Sequence, residues 1–166
     1  MKKGFTLIEL LVVIAIIATI VAFAMPNFLG ARQRAADTKK KSELQQFKAA
    51  LRLYYNDYNK YPADSGGPVY NKVKGCGATG GSNCPCSATL DFAAGGAGCD
   101  TVYMKKFPSD WATSMFYYQL NSNTDDFCLK VPLDNASDAE IAKSQAKCAT
   151  PCTGKVSGND YAACAD

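Results

Sequence analysis

The chain has 166 residues, 48% of them apolar and 20% charged, with a net charge of +3. That length suits one domain plus a projecting element, and so small a net charge gives no argument for a nucleic-acid partner. Histidine is absent, which excludes histidine-based acid–base catalysis and histidine metal ligation.

In chain order, Lys2, Lys3 and Gly4 come first, and an apolar run follows. From Phe5 to Met25 there are 21 residues with a single charge, Glu9. A helix of that length measures about 31 Å at 1.5 Å per residue, the hydrocarbon thickness of a bilayer. The two lysines ahead of the run predict a cytoplasmic amino terminus and a single pass through the membrane. A secretory signal peptide would carry its small-residue cleavage site after the apolar run. Here the small residue, Gly4, precedes it, so the apolar helix stays with the mature protein. Glu9 is the anomaly, because a carboxylate about one turn into a membrane segment is costly and needs a partner. The competing reading is a plain membrane anchor whose Glu9 snorkels to the headgroups.

The stretch Gly4-Phe5-Thr6-Leu7-Ile8-Glu9, with the apolar run and Pro26 behind it, resembles the N-terminus of type IV pilins and of the related type II secretion pseudopilins. The resemblance implies an α+β fold, with a long N-terminal helix over about residues 5–58 packed on a small antiparallel sheet. It implies that residues 1–4 are a leader, removed by a prepilin peptidase between Gly4 and Phe5, and that the new Phe5 amine is N-methylated. It also implies that residues 5–29 form a membrane helix that becomes the filament core, in which Glu9 meets the Phe5 amine of a neighbouring subunit. Pro26 marks where such a helix loosens in the filament. The partners implied are further copies of the chain, the peptidase and an inner-membrane assembly platform.

Residues 30–60 hold eight Lys or Arg against three acids. Leu44, Phe47, Leu51, Tyr54 and Tyr58 recur at spacings of three and four, which predicts an amphipathic continuation of the helix with one aromatic stripe facing a core. Asn59 and Pro62 predict its end. The basic cluster from Arg32 to Lys41 could touch headgroup or DNA phosphates, but a solvated or intersubunit helix face is the plainer reading.

Residues 61–166 form the globular part. Within it, 61–100 is crowded with glycines and reads as a long irregular loop, which needs staples to exist in a compact domain. Cysteines supply them. The eight, Cys76, Cys84, Cys86, Cys99, Cys128, Cys148, Cys152 and Cys164, all lie outside the apolar run, in the part expected in an oxidising compartment. They are disulfide candidates, and eight cysteines allow 105 pairings, so the pairing stays open. A zinc site is the alternative: the one-residue gap of Cys84-Pro85-Cys86 argues against it, whereas the three-residue gap between Cys148 and Cys152 is acceptable.

Residues 101–133 should hold the sheet. Tyr103 to Trp111 resembles the segment before the sheet of the major pseudopilin, although Ala112 and Thr113 replace the usual residues. Ser114–Leu120, the turn Asn121–Thr124 and Phe127–Val131 predict a β-hairpin. Phe116, Tyr118 and Leu120 are expected on one face, against Phe127, Leu129 and Val131. In the tail, 134–166, Ser137 with Glu140 predicts a capped short helix to Lys147. Asp125, Asp126, Asp134 and Asp138 raise a calcium site by resemblance to the pseudopilins. No EF-hand spacing is present, and scattered solvated carboxylates are the preferred reading.

No nucleophile with a base, phosphate loop or ligand cluster beyond the cysteines is found, so the reading is not an enzyme and no cofactor is expected. The expected function is a structural subunit of a type IV pilus-like filament, in the inner membrane before assembly and in an extracellular pilus or periplasmic fibre after it. The alternatives are a type II secretion pseudopilin, and an adhesin or DNA-uptake subunit using the loop at 76–99.

Overall fold

The computed structural model describes residues 4–64, 67–68, 73–86, 91–96, 98–108, 114–120 and 123–165. The chain divides into two compact units, residues 1–36 and 37–166. Helix α1, Leu7–Tyr58, begins in the first and ends in the second without a break. Proline at position 26 has no N–H to give to the Ala22 carbonyl, yet the helix is continuous through it and through Gly30.

In the second unit the expected stripe is the buried one. Leu44, Phe47, Leu51 and Tyr54 are 2% exposed or less, and Tyr58 packs against the same core from a half-buried position. Each fully buried side chain of this size contributes about 1.5–3 kcal/mol. The helix stops where expected: Asn59 takes a φ of +50°, the left-handed conformation that asparagine tolerates just past a helix end.

The main sheet has four antiparallel strands in the order β1-β6-β7-β8: β1 Gly67–Pro68, β6 Phe116–Leu120, β7 Asn123–Pro132 and β8 Asp160–Cys164. The hairpin β6–β7 pairs Tyr117 with Leu129 and Tyr118 with Cys128. Its tip at 121–122, and Trp111, lie outside the described residues. β8, which the sequence did not reveal, pairs Cys128 with Cys164 on the far side of β7.

The face assignment of β6 is corrected by one residue. Tyr117, not Phe116 or Tyr118, joins Phe127, Leu129 and Val131 in the core. Its hydroxyl donates to the Pro62 carbonyl at 2.6 Å. Three aromatics run in a row here, so alternation could not choose between faces, and a slip of one residue inverts every side chain. The other face is also covered: Tyr118 packs against a second cluster of Cys128, Cys148, Cys152, Ala162 and Cys164.

The glycine-rich segment is not the featureless loop expected. Together with residues 101–104 it holds β1 and two small antiparallel ribbons. β2 (Lys74–Cys76) pairs with β3 (Ser82–Asn83), and β4 (Phe92–Ala94) pairs with β5 (Thr101–Met104). Val73, Phe92, Ala93 and Ala94 are fully buried. Phe47 meets Phe92, Phe107 and Tyr117 at centroid distances of 5.8, 5.4 and 6.4 Å, so Phe92 of this segment joins the later aromatics in covering the helix. Glycine is required at position 75, where φ is +118° and a Cβ would come within 3.0 Å of Pro62.

All eight cysteines pair: Cys76–Cys84 and Cys86–Cys99 within the glycine-rich segment, Cys128–Cys152 and Cys148–Cys164 around the end of the chain. The latter two tie β7 and β8 to the end of α2, Ala139–Lys147. The cap of α2 is Asp138, not Ser137: its carboxylate accepts from the Glu140 N–H at 2.9 Å.

Candidate functional site: the exposed apolar helix and its carboxylate

From Leu7 to Met25 the first part of α1 has a mean hydropathy of 2.9, and none of it is buried by the rest of the chain. By length and composition it can cross a membrane, at about 28 Å for its 19 residues. Phe5, just ahead of it, is 82% exposed. Gly4 is exposed, and a Cβ placed on it would meet nothing within 4 Å. Lys2 and Lys3 lie outside the described residues.

Thr6 and Glu9 close a capping box at the start of α1. One carboxylate oxygen, Oε2, accepts from the Thr6 N–H at 2.9 Å and from the Thr6 hydroxyl at 2.7 Å. In return the Thr6 hydroxyl oxygen accepts from the Glu9 N–H at 3.4 Å. The signal is present in the sequence as Thr-x-x-Glu. The box satisfies backbone donors that a helix N-terminus leaves open. No described residue donates to the other oxygen, Oε1. In hydrocarbon a half-satisfied carboxylate remains expensive, so the arrangement keeps a demand for a cation from outside the chain.

The lysines of the basic cluster meet carboxylates of their own chain. Lys40 reaches Asp134 at 2.7 Å, and Lys41 reaches Asp138 and Glu140 at 2.6 Å each. Lys39 lies 3.7 Å from Glu43. Asp37, which sequence reading missed, is 2% exposed and accepts from the Asp134 and Asn135 N–H groups at 2.7 and 2.8 Å. Lys41's ammonium and the Glu140 N–H together hold the Asp138 carboxyl below its ordinary value. Asp125 accepts from the Tyr55 hydroxyl at 3.1 Å, and Asp126 from the N–H groups of Phe127 and Ala165. The four aspartates raised for calcium thus serve four different local contacts.

Comparison with known proteins finds a shared motif at the head of the chain. The profile described as the prokaryotic N-terminal methylation motif matches residues 1–25. The type IV wide pilus major component PilA4 of Thermus thermophilus is 48% identical over 62 residues, 37% of this chain and 47% of that protein. The type II secretion system core protein G of Pectobacterium carotovorum is 35% identical over 66 residues, 40% of this chain and 42% of that one. The type IV major pilin protein PilA of Myxococcus xanthus is 36% identical over 60 residues, 36% of this chain and 27% of that protein. The chain therefore spans less than half the length of these relatives. No solved structure matches it significantly.

Proposed function

We propose that this chain is a structural subunit that polymerises into a type IV pilus-like filament. One observation carries the proposal: an apolar helix, headed by a methylation motif and carrying Glu9, finds no cover within its own chain. A bilayer covers such a helix before assembly, and a bundle of identical helices covers it afterwards. In this reading a prepilin peptidase cuts between Gly4 and Phe5, the Phe5 amine is methylated, and the chain waits in the inner membrane with residues 5–25 in lipid. Moving the helix from lipid to a bundle of apolar helices has little hydrophobic driving force, so packing and polar contacts must select the register. Glu9, through Oε1, takes the amine of a neighbouring Phe5. Pro26 lets the helix loosen where the filament requires it.

The likeness to core protein G favours a second reading, a pseudopilin of a short periplasmic fibre. The adhesin or DNA-uptake reading loses support, because three of the cations between Arg32 and Lys41 are held by carboxylates of the same chain.

The test is the intact mass of the chain in a sheared extracellular fraction beside the membrane fraction, for wild type and Glu9→Leu. The expected result is a chain beginning at methylated Phe5, abundant in sheared filaments. An ion pair that loses one partner inside an apolar bundle leaves the other charge uncompensated, so Glu9→Leu should leave a processed, folded chain in the membrane and almost none in filaments. Abundant normal filaments from that variant refute the role of Glu9. Processed wild-type chain that never leaves the cell envelope selects the pseudopilin reading, and retention of Met1 to Gly4 selects the plain anchor.

A further inference from the structure

A pocket of about 370 Å³ lies where α1 ends and the glycine-rich segment meets it. Assembly through the N-terminal helix gives it no task. Tyr54 and Tyr58 line it from the helix, Lys60 and Tyr61 from the turn after it, and Thr79–Gly81 from the tip of the β2–β3 ribbon. The Cys76–Cys84 disulfide ties β2 to the residue just past β3 and so holds that tip in place. Tyr54 is the unusual member. It is 2% exposed, and its ring stacks on those of Tyr58 and Phe92 at centroid distances of 4.4 and 5.7 Å. Yet no described residue hydrogen-bonds its hydroxyl. The hydroxyl lies beside Gly80, where a Cβ would come within 3.0 Å of it. A buried polar group left unpaired is costly, and native folds rarely keep one without a use for it.

The other polar groups surround the same space. Gln119 donates from Nε2 to the Tyr61 carbonyl at 2.9 Å, which orients its amide and leaves Oε1 to accept. Thr79 adds a hydroxyl, and Lys60 and Lys74, both exposed, add ammonium donors. Burial, and then Tyr58, hold the Tyr54 hydroxyl above its ordinary value, so at neutral pH it has a proton to give. The volume falls at the low end of the roughly 300–1,000 Å³ of pockets for small organic ligands. A purely apolar molecule would leave these donors and acceptors unpaired, and a small inorganic ion would leave the tyrosine rings unused. A hydroxylated six-membered ring uses both, its C–H faces against aromatic carbon and its hydroxyls against the polar groups. We propose that this pocket binds a saccharide of about disaccharide size, which takes the proton of the Tyr54 hydroxyl and pairs with Gln119 and Thr79. The proposal rests neither on the filament reading nor on the basic cluster between Arg32 and Lys41.

The test uses the full chain in micelles of a zwitterionic detergent that has no sugar headgroup. Cellobiose, chitobiose and digalacturonate are titrated in turn, and binding is read by saturation-transfer NMR and by tyrosine fluorescence. The expected result is a saturable response to at least one of the three, with an apparent Kd that Tyr54→Phe raises by about three- to tenfold. Tyr54→Phe keeps the ring and removes a hydroxyl that no described residue pairs, so it should melt no lower than wild type. Thr79→Val, at an exposed position away from the core, should weaken the same binding by about threefold. Binding of adenosine monophosphate in place of every saccharide assigns a nucleotide ligand and overturns the proposal. Silence of all three saccharides, or an affinity that Tyr54→Phe leaves unchanged, overturns it as well.

Discussion

Between Leu7 and Met25 every side chain of α1 is exposed, whereas between Leu44 and Tyr54 five are 2% exposed or less. Both stretches belong to one uninterrupted helix. The later stretch is amphipathic, and its own chain covers the apolar face with a sheet and an aromatic segment. The earlier one is apolar all round, which is the composition of a helix covered on every side. The first part is thus committed to surroundings the chain does not contain, and the second is complete in itself. Stability of the 37–166 unit and assembly through the N-terminal helix should therefore respond to different substitutions.

Phe47→Ala should have the largest effect on the self-covered half. Phe47 is the hub of three ring contacts, and its removal should cost about 3–5 kcal/mol in urea unfolding with the disulfides intact. An effect below about 1 kcal/mol would mean that the contrast between the halves has been overdrawn. Next comes the pair Cys128→Ala with Cys152→Ala, which opens a link across 24 residues and should cost about 2–4 kcal/mol. The corresponding change at Cys76 and Cys84, across 8 residues, should cost less, because a shorter loop restrains the unfolded chain less.

Thr6→Val probes the other half. Loss of the capping box should weaken the start of α1 by about 1 kcal/mol, seen as faster hydrogen exchange at the first amides of α1, with the melting temperature of the 37–166 unit unchanged. A shift of that temperature would break the separation. Asp138→Ala should be the mildest, about 0.5–1 kcal/mol. Because the folded state lowers the Asp138 carboxyl from 3.8, its ionic contribution is complete above that value and fades as pH falls through the folded one. The gap between wild type and variant should therefore shrink in unfolding curves taken below about pH 4.

Much of this was legible along the chain. Leu44, Phe47, Leu51 and Tyr54 announce the buried stripe because a helix repeats every 3.6 residues, and the helix end follows from Asn59. The apolar run and Glu9 were legible because length and charge are local properties. The Thr6–Glu9 box is equally local, because a capping box spans only four residues. The place of Phe92 in the core was not legible, since glycines on both sides of it hide any period. The ion pairs of Lys40 and Lys41 with the tail were not legible either, because those carboxylates lie more than ninety residues away.

By itself the sequence determined the helix, its apolar first part, the out-of-place carboxylate, the buried stripe and the presence of a hairpin. Each of these depends on residues within a few positions of one another. Only the tertiary structure decided that Tyr117 rather than its neighbours faces the core, that β8 closes the sheet, which cysteines pair, and that Lys40 and Lys41 reach carboxylates of the tail. Those outcomes depend on which distant segments are brought together, and in a sheet covered on both faces one strand's pattern cannot say which covering it meets.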